Sequence, residues 1–268
     1  MRTITARERY LKSQNAVKGW LDPYSAQVIA ELGCLQEAQG AAGAVGEIGV
    51  HEGRLFILLR LLRRPGEKSI AIDVFEDQHL NVDQSGRGNL GRFEYNVERW
   101  SGHDDLVIIQ KSSLDVRPKE LLEKGGEFRL FSVDGGHTEE CAYRDLRLAE
   151  AVLSSAGIVI LDDFSNHHWP SVAAGAARFF LETTTARPFA TSPNKMYVAA
   201  PEYHDLYQTS LKASQGAHFY RSCTMFGHQV DIYEARRGRS AAWHRVPGVR
   251  AALNVARRAK RRWSALAG

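Results

Sequence analysis

Two short stretches concentrate the residue types that do chemistry: Val133-Asp134-Gly135-Gly136-His137 and Ile160-Leu161-Asp162-Asp163-Phe164. Each closes an apolar run of strand length. If both runs are parallel strands, their ends meet at the carboxyl edge of one sheet, where open α/β folds place their ligands. Crowding three carboxylates there without a counter-charge would raise their pKa values and cost stability. A bound divalent cation or a cationic substrate is the economical remedy. Oxygen-only ligands favour Mg²⁺, Mn²⁺ or Ca²⁺ over zinc, and a site left open to substrate favours Mg²⁺. Asp134, Asp162 and Asp163 are therefore the expected metal ligands. Neighbouring strand residues point to opposite faces, so Asp162 and Asp163 share one ion only if the chain turns at Asp163. The competing reading has one of them capping the next helix. His137, just beyond Asp134, is a candidate general base, with His51, His167 and His168 as competitors.

A second constellation lies upstream. The run Gly46-Glu47-Ile48-Gly49-Val50-His51-Glu52-Gly53 passes from a strand straight into a helix. Gly49 and Gly53 suit a sharp turn that exposes backbone N–H groups near a helix N-terminus. The spacing is not the G-x-G-x-x-G of a dinucleotide site, and an acid, Glu47, sits at the strand end. About twenty residues beyond the glycines the next strand ends in Ile72-Asp73-Val74, where an acid can bind ribose hydroxyls. A ribose acid without a pyrophosphate fingerprint points to a nucleoside cofactor lacking a diphosphate, of which S-adenosylmethionine is the common one. A solvated acid at a strand end is the alternative for Asp73. Ser112 and Ser113, after the third strand, fall where an adenine-flanking loop would lie, or are ordinary turn residues.

The elements that must position these groups alternate. Strands are expected over Ala44–Val50, Ser69–Phe75, Leu106–Lys111, Phe128–Asp134, Gly157–Asp162 and Phe189–Ala199. Helical spacing separates them, as in Arg54–Arg64 with Leu55, Leu58, Leu59 and Leu62, and in Glu139–Leu153 with Leu146, Ala149 and Leu153. This predicts an α/β fold, a Rossmann-like doubly wound and mostly parallel seven-stranded sheet. An antiparallel strand near the C-terminus is expected from the alternation over Ala217–Glu234, after a long polar connection, Pro201–Gln215. Ahead of the sheet, Tyr24–Gln39 reads as a helix started by Asp22-Pro23. The polar loop from Glu76 to Asn89 is long enough to cover a substrate or cofactor, or is a solvated insertion. The organisation expected is a helical cap over residues 1–40, one catalytic domain over 41–234 and a basic tail, read as helical, over 235–268.

Charge divides the chain the same way. The net charge of +4 hides a tail with ten Lys and Arg and no acid, which leaves 25 basic against 31 acidic residues for the rest. An acidic body opposes a long nucleic-acid groove, so no nucleic-acid partner is expected. The tail, with Arg257-Arg258-Ala259-Lys260-Arg261-Arg262, reads as a solvated or partner-facing extension; contact with an anionic membrane surface stays open. The polar N-terminus lacks a secretory h-region. The cysteines Cys34, Cys141 and Cys223 show neither disulfide nor metal spacing. A cytoplasmic location is expected.

The stretch from Gly46 to Val172 resembles the domain of methyltransferase family 24, a class I branch with metal-dependent O-methyltransferases of natural-product sugars and related small molecules. The matching text is Val45-Gly46-Glu47-Ile48-Gly49, Ile72-Asp73, Val133-Asp134-Gly135-Gly136-His137, the helix with Asp145-Leu146, and Ile160-Leu161-Asp162-Asp163. The resemblance implies that Glu47, Gly49 and Asp73 line an S-adenosylmethionine site and that Asp134, Asp162 and Asp163 hold Mg²⁺. It implies either His137 or Asp134 as base, the acid also facing the cofactor. The expected activity is Mg²⁺-assisted methylation of a hydroxyl on a small-molecule acceptor, with a sugar or glycan among the candidates and a homo-oligomer open. The rivals are a metal-independent methyltransferase of the same fold and a non-catalytic nucleoside-binding protein.

Overall fold

A computed structural model describes residues 4–235; apart from Ala235, the basic tail lies outside them. Asp22 starts the long N-terminal helix as anticipated. Its side chain accepts hydrogen bonds from the Tyr24 and Ser25 amides, and Pro23 occupies the first turn, where its missing N–H costs nothing. Helices α1 (Ala6–Ser13) and α2 (Pro23–Gln39) then lead into an alternating series. It runs β1 (Ala44–Ile48), α3 (Arg54–Leu62), β2 (Ser69–Asp73), α4 (Leu90–Ser101), β3 (Leu106–Gln110), α5 (Pro118–Gly125), β4 (Phe128–Val133), α6 (Glu139–Val152), β5 (Leu153–Leu161) and α7 (Pro170–Glu182). Strands β3, β2, β1, β4 and β5 lie side by side in that order, all parallel. The order reverses between β1 and β4, so the ends of those two strands flank the crevice where such sheets bind ligands.

The Rossmann-like, mostly parallel sheet is therefore present, and its far edge is more elaborate than expected. The segment Phe189–Ala199 is two strands, β6 (Arg187–Ser192) and β7 (Lys195–Ala199), with β7 antiparallel to both β5 and β6. Pro193 and Asn194 form the turn, Asn194 at φ 64°, a left-handed conformation that asparagine tolerates. The connection Pro201–Gln215 holds helix α8 (Pro201–Lys212). Beyond it, the Gly227 break divides the last segment into a hairpin of β8 (Phe219–Met225) and β9 (His228–Tyr233). The segment expected to add one antiparallel strand thus supplies two and Phe189–Ala199 another two, β6 pairing parallel with β9, and the sheet of the described residues has nine.

Alternation along the strands feeds two cores. Ala71, Leu130, Ile158 and Ile160 pack with α2, α3 and α8 on one face, while Ile70, Ile72, Phe131, Val159 and Leu161 pack with α5, α6 and α7 on the other. At the amino edge a buried ion pair ties these layers together. Arg129, at the start of β4 and 1% exposed, donates to both carboxylate oxygens of Glu67 at 2.9–3.1 Å, to the Leu62 carbonyl at 2.6 Å and to Gln36 Oε1 at 3.1 Å. Gln36 returns hydrogen bonds to the carbonyls of Arg129 and Ala156. Burial would raise the Glu67 pKa; its bonds from Arg129 and Arg64 outweigh that and hold it below the usual range.

Candidate active site

At the opposite, carboxyl edge a cavity of about 730 Å³ opens between the strand ends. Its floor begins at the glycine turn. Gly49 has φ 82°, and a Cβ there would overlap the carbonyl oxygen of Asp134, so only glycine lets the β1 and β4 ends close against each other. Gly53, also left-handed at φ 93°, precedes the first turn of α3 without lining the cavity, which assigns it to turning the chain. Glu47, Gly49, Asp73, Ser112, Ser113 and Asp134 do line it.

Asp73 binds the turn from beneath. Its two oxygens accept the His51 amide at 2.7 Å and the Phe75 amide at 2.6 Å. Burial nevertheless raises its pKa against those bonds. Ser112 has both roles weighed for it: its hydroxyl accepts the Leu114 amide at 3.3 Å, and the residue faces the cavity with Ser113. Glu47 is 2% exposed with one oxygen unpartnered, and burial pushes its carboxyl well above the usual range, Lys195 opposing the shift.

The chain does turn at Asp163, whose φ is 55°. This brings Asp163 toward Asp134 and His137, one ligand-type atom of each lying within 4.8 Å of the others. His137 is held through both ring nitrogens, Nδ1 at 2.8 Å from Asp83 Oδ2 and Nε2 at 2.9 Å from Asp163 Oδ2. Trp169 stacks on the ring at 4.4 Å. Burial alone would lower the His137 pKa, and the bonds to Asp163 and Asp83 outweigh it, so the imidazolium is favoured. Asp134 accepts no hydrogen bond from any described residue; burial, and then the Asp162 charge, raise its pKa well above the usual range.

Asp162 goes elsewhere. Its Oδ2 forms an ion pair with the ammonium of Lys195, a residue 2% exposed, and its Oδ1 accepts the Asp163 amide at 2.8 Å. The three-carboxylate set expected for Mg²⁺ is thus divided: Asp134 and Asp163 meet at His137, and the partner of Asp162 is a cation of this chain. The remaining group offers a nitrogen and two carboxylates, which departs from the oxygen-only donors that suit Mg²⁺.

Three contributors escaped the sequence reading. Lys195 was hidden inside a segment taken as one strand, although Pro193-Asn194 is a turn signal that would have placed it at a hairpin tip. Asp83 comes from the Glu76–Asn89 loop, which folds over the cavity with Gln78, Val82, Ser85, Gly86 and Gly88 on its wall; no spacing rule marks it. Trp20 stands at the cavity mouth, 72% exposed, 5.4 Å from the His51 ring.

The doubly wound sheet, with an acid at the end of β2 and further acids at its carboxyl edge, is the fold of class I methyltransferases. Residues 47–164 match the family model of a methyltransferase domain, methyltransferase family 24. Among solved structures, the O-methyltransferase NovP superposes with a TM-score of 0.54 at 15% identity, over 66% of this chain and 80% of that one. CalS11, a TDP-rhamnose 3'-O-methyltransferase of calicheamicin biosynthesis, gives 0.49 at 16% identity over 72% and 92% of the two chains. A Bacillus cereus O-methyltransferase bound to S-adenosylhomocysteine gives 0.49 at 16% over 74% and 90%. A sequence search of curated proteins finds no match. Among the described residues no helix is long and apolar enough to cross a membrane.

Proposed function

We propose that this chain transfers the methyl group of S-adenosylmethionine to a hydroxyl of a small-molecule acceptor. The observation that carries the reading is a single cavity wall running from the ribose-type acid Asp73 to Asp134, a carboxyl with no hydrogen-bonding partner among the described residues. Glu47, Gly49, Asp73, Ser112 and Ser113 hold the cofactor in this reading. Asp134 accepts the acceptor's proton as the hydroxyl oxygen forms its bond to the methyl carbon. The carbon–sulfur bond breaks, and the sulfonium leaves as a neutral thioether. Much of the rate comes from holding oxygen and methyl in line.

His137 has both ring nitrogens engaged by carboxylates, which favours a positioning role: it fixes Asp163 and ties down the covering loop through Asp83. The N-terminal segment works as a cap, since Lys18, Gly19, Trp20 and Leu21 complete the cavity wall. The exposed face of Trp20 at the mouth suits an acceptor with a flat or sugar ring. NovP, an O-methyltransferase of the same fold, is consistent with oxygen as the acceptor atom.

Calorimetric titration with S-adenosylhomocysteine tests the cofactor half. Binding is expected in the wild type and in Asp134→Asn; no binding to the wild type would remove the proposal. Mass-shift assays over a panel of sugar and polyphenol acceptors test the other half, with Asp134→Asn expected to lose transfer while keeping the cofactor. Full activity in that variant would transfer the base role to His137.

A further inference from the structure

The acidic edge of the sheet carries its own counter-charge. The tip of the β6–β7 hairpin meets the Asp162-Asp163 turn residue for residue. The Phe164 amide donates to the Asn194 carbonyl at 3.0 Å, Asn194 Nδ2 approaches Asp163 Oδ1 at 3.4 Å, and the Lys195 ammonium pairs with Asp162. Asn194 and Asp163 are both left-handed, at φ 64° and 55°, so the two turns are shaped to dock. Lys195 is 2% exposed and lines the cavity wall together with Glu47, Asp134 and Asp162. A buried ammonium is retained only where anions compensate its desolvation. On the other flank the remaining candidate donor group, Asp134, His137 and Asp163, has its imidazole already spanning two carboxylates.

We propose that Lys195 is the resident cation of this reaction centre, holding the Asp162 carboxylate that an oxygen-ligated divalent ion would use, so that methyl transfer by this chain proceeds without a divalent cation. Lys195 is then a positioning residue. It fixes Asp162, whose Oδ1 in turn holds the Asp163 amide, and so sets the carboxylate that faces His137. The inference rests on the methyl-transfer reading and deepens it, and the two fail separately.

The test uses the full chain, stripped with chelator, and Mn²⁺ alone as probe, followed by the electron paramagnetic resonance signal of the free ion. Wild type is expected to leave Mn²⁺ in solution and to bind S-adenosylhomocysteine equally well with chelator or with metal. Lys195→Met frees the Asp162 carboxylate and is expected to take up Mn²⁺ about 10- to 100-fold more tightly than wild type, the scale on which a neighbouring group changes metal affinity. The double variant Asp162→Asn with Lys195→Met removes both charges and is expected to fold and to leave Mn²⁺ free again. Stoichiometric Mn²⁺ binding by wild type overturns the proposal. So does a Lys195→Met protein that still binds S-adenosylhomocysteine yet gains no Mn²⁺, or a double variant that binds Mn²⁺ as the single one does. If Lys195→Met does not fold, the wild-type and double-variant titrations decide. Loss of S-adenosylhomocysteine binding by wild type would instead sink the methyltransferase reading.

Discussion

Two buried ion pairs sit at opposite ends of the same parallel strands, and they differ in how completely they are satisfied. Arg129 and Glu67, at the amino edge, use nearly every donor and acceptor they have, on Leu62, Gln36, Arg64 and each other. Lys195 and Asp162, at the carboxyl edge, stand beside an Asp134 carboxyl and a Glu47 oxygen that have no hydrogen-bonding partner among the described residues. A saturated network stabilises and does nothing else, whereas unsatisfied acids held in a cavity are a cost that binding a ligand relieves. One edge of this sheet is built to last and the other to react.

The comparison breaks most visibly at Arg129. Arg129→Met takes from buried Glu67 its guanidinium partner on both oxygens, leaving only Arg64 and the Gly43 amide among the described residues, and takes from Gln36 Oε1 its donor, and a loss of about 3–5 kcal/mol is expected in urea unfolding. Lys195→Met should cost less, because the released Asp162 borders the cavity and can be reached by water; an equal loss for the two would dissolve the contrast.

Asp145 sharpens it. This α6 acid is 1% exposed beneath Gly135, and burial pushes its pKa from 3.8 up to about 7, against the influence of Ser113 and Arg144. A carboxyl whose folded pKa lies above its unfolded one binds more protons when folded. Stability therefore falls as pH rises from about 4 to about 7 and is flat beyond. Asp145→Asn should remove that slope and gain up to roughly 4 kcal/mol at pH 8, at 1.36 kcal/mol per pKa unit. Parallel stability–pH curves for variant and wild type would show that the acid is not strained.

Asp73→Asn offers one oxygen where two accept the His51 and Phe75 amides, so one amide loses its acceptor at a cost of about 1–3 kcal/mol, and S-adenosylhomocysteine affinity should drop about 10- to 100-fold with the loss of a charged hydrogen-bonding partner. Unchanged affinity would move the ribose site elsewhere. The smallest effect is expected for Asp83→Asn, which weakens the tie between the covering loop and His137. Proteolytic nicking within residues 76–89 should quicken about threefold, with global stability unchanged.

Much of this was legible in the order of residues. The period-2 runs, the Gly49 turn, Asp73 and the two acid clusters were readable because each is local: strand, turn and strand end lie within a few positions of one another. Gly53, read together with Gly49 at the cofactor turn, turns the chain without lining the cavity, and a glycine that turns the chain and one that faces a ligand leave the same mark. Three clustered carboxylates pointed to a positive partner, a divalent cation or a cationic substrate, and left Lys195, which pairs with Asp162, unforeseen. The ammonium that meets Asp162 lies 33 positions further along, on a strand reached by reversing direction, and nothing in the spacing of the acids announces it. Asp83 was invisible for the same reason, its distance from His137 being set by how a loop folds.

The placement of β7 fixes a chronology for the chain as it is made. By the time Asp163 has left the ribosome, β1 to β5 can all be paired and the glycine turn closed, since each of those strands neighbours one synthesised before it. The acids at the tip of β5 must wait for residue 195, and the Asn194 clasp arrives with it. A nascent chain halted between those points would carry a finished cofactor half whose charged rim is still open. Protection of Asp162 from carboxyl-directed labelling would then appear late, in step with the hairpin and not with the sheet that bears it.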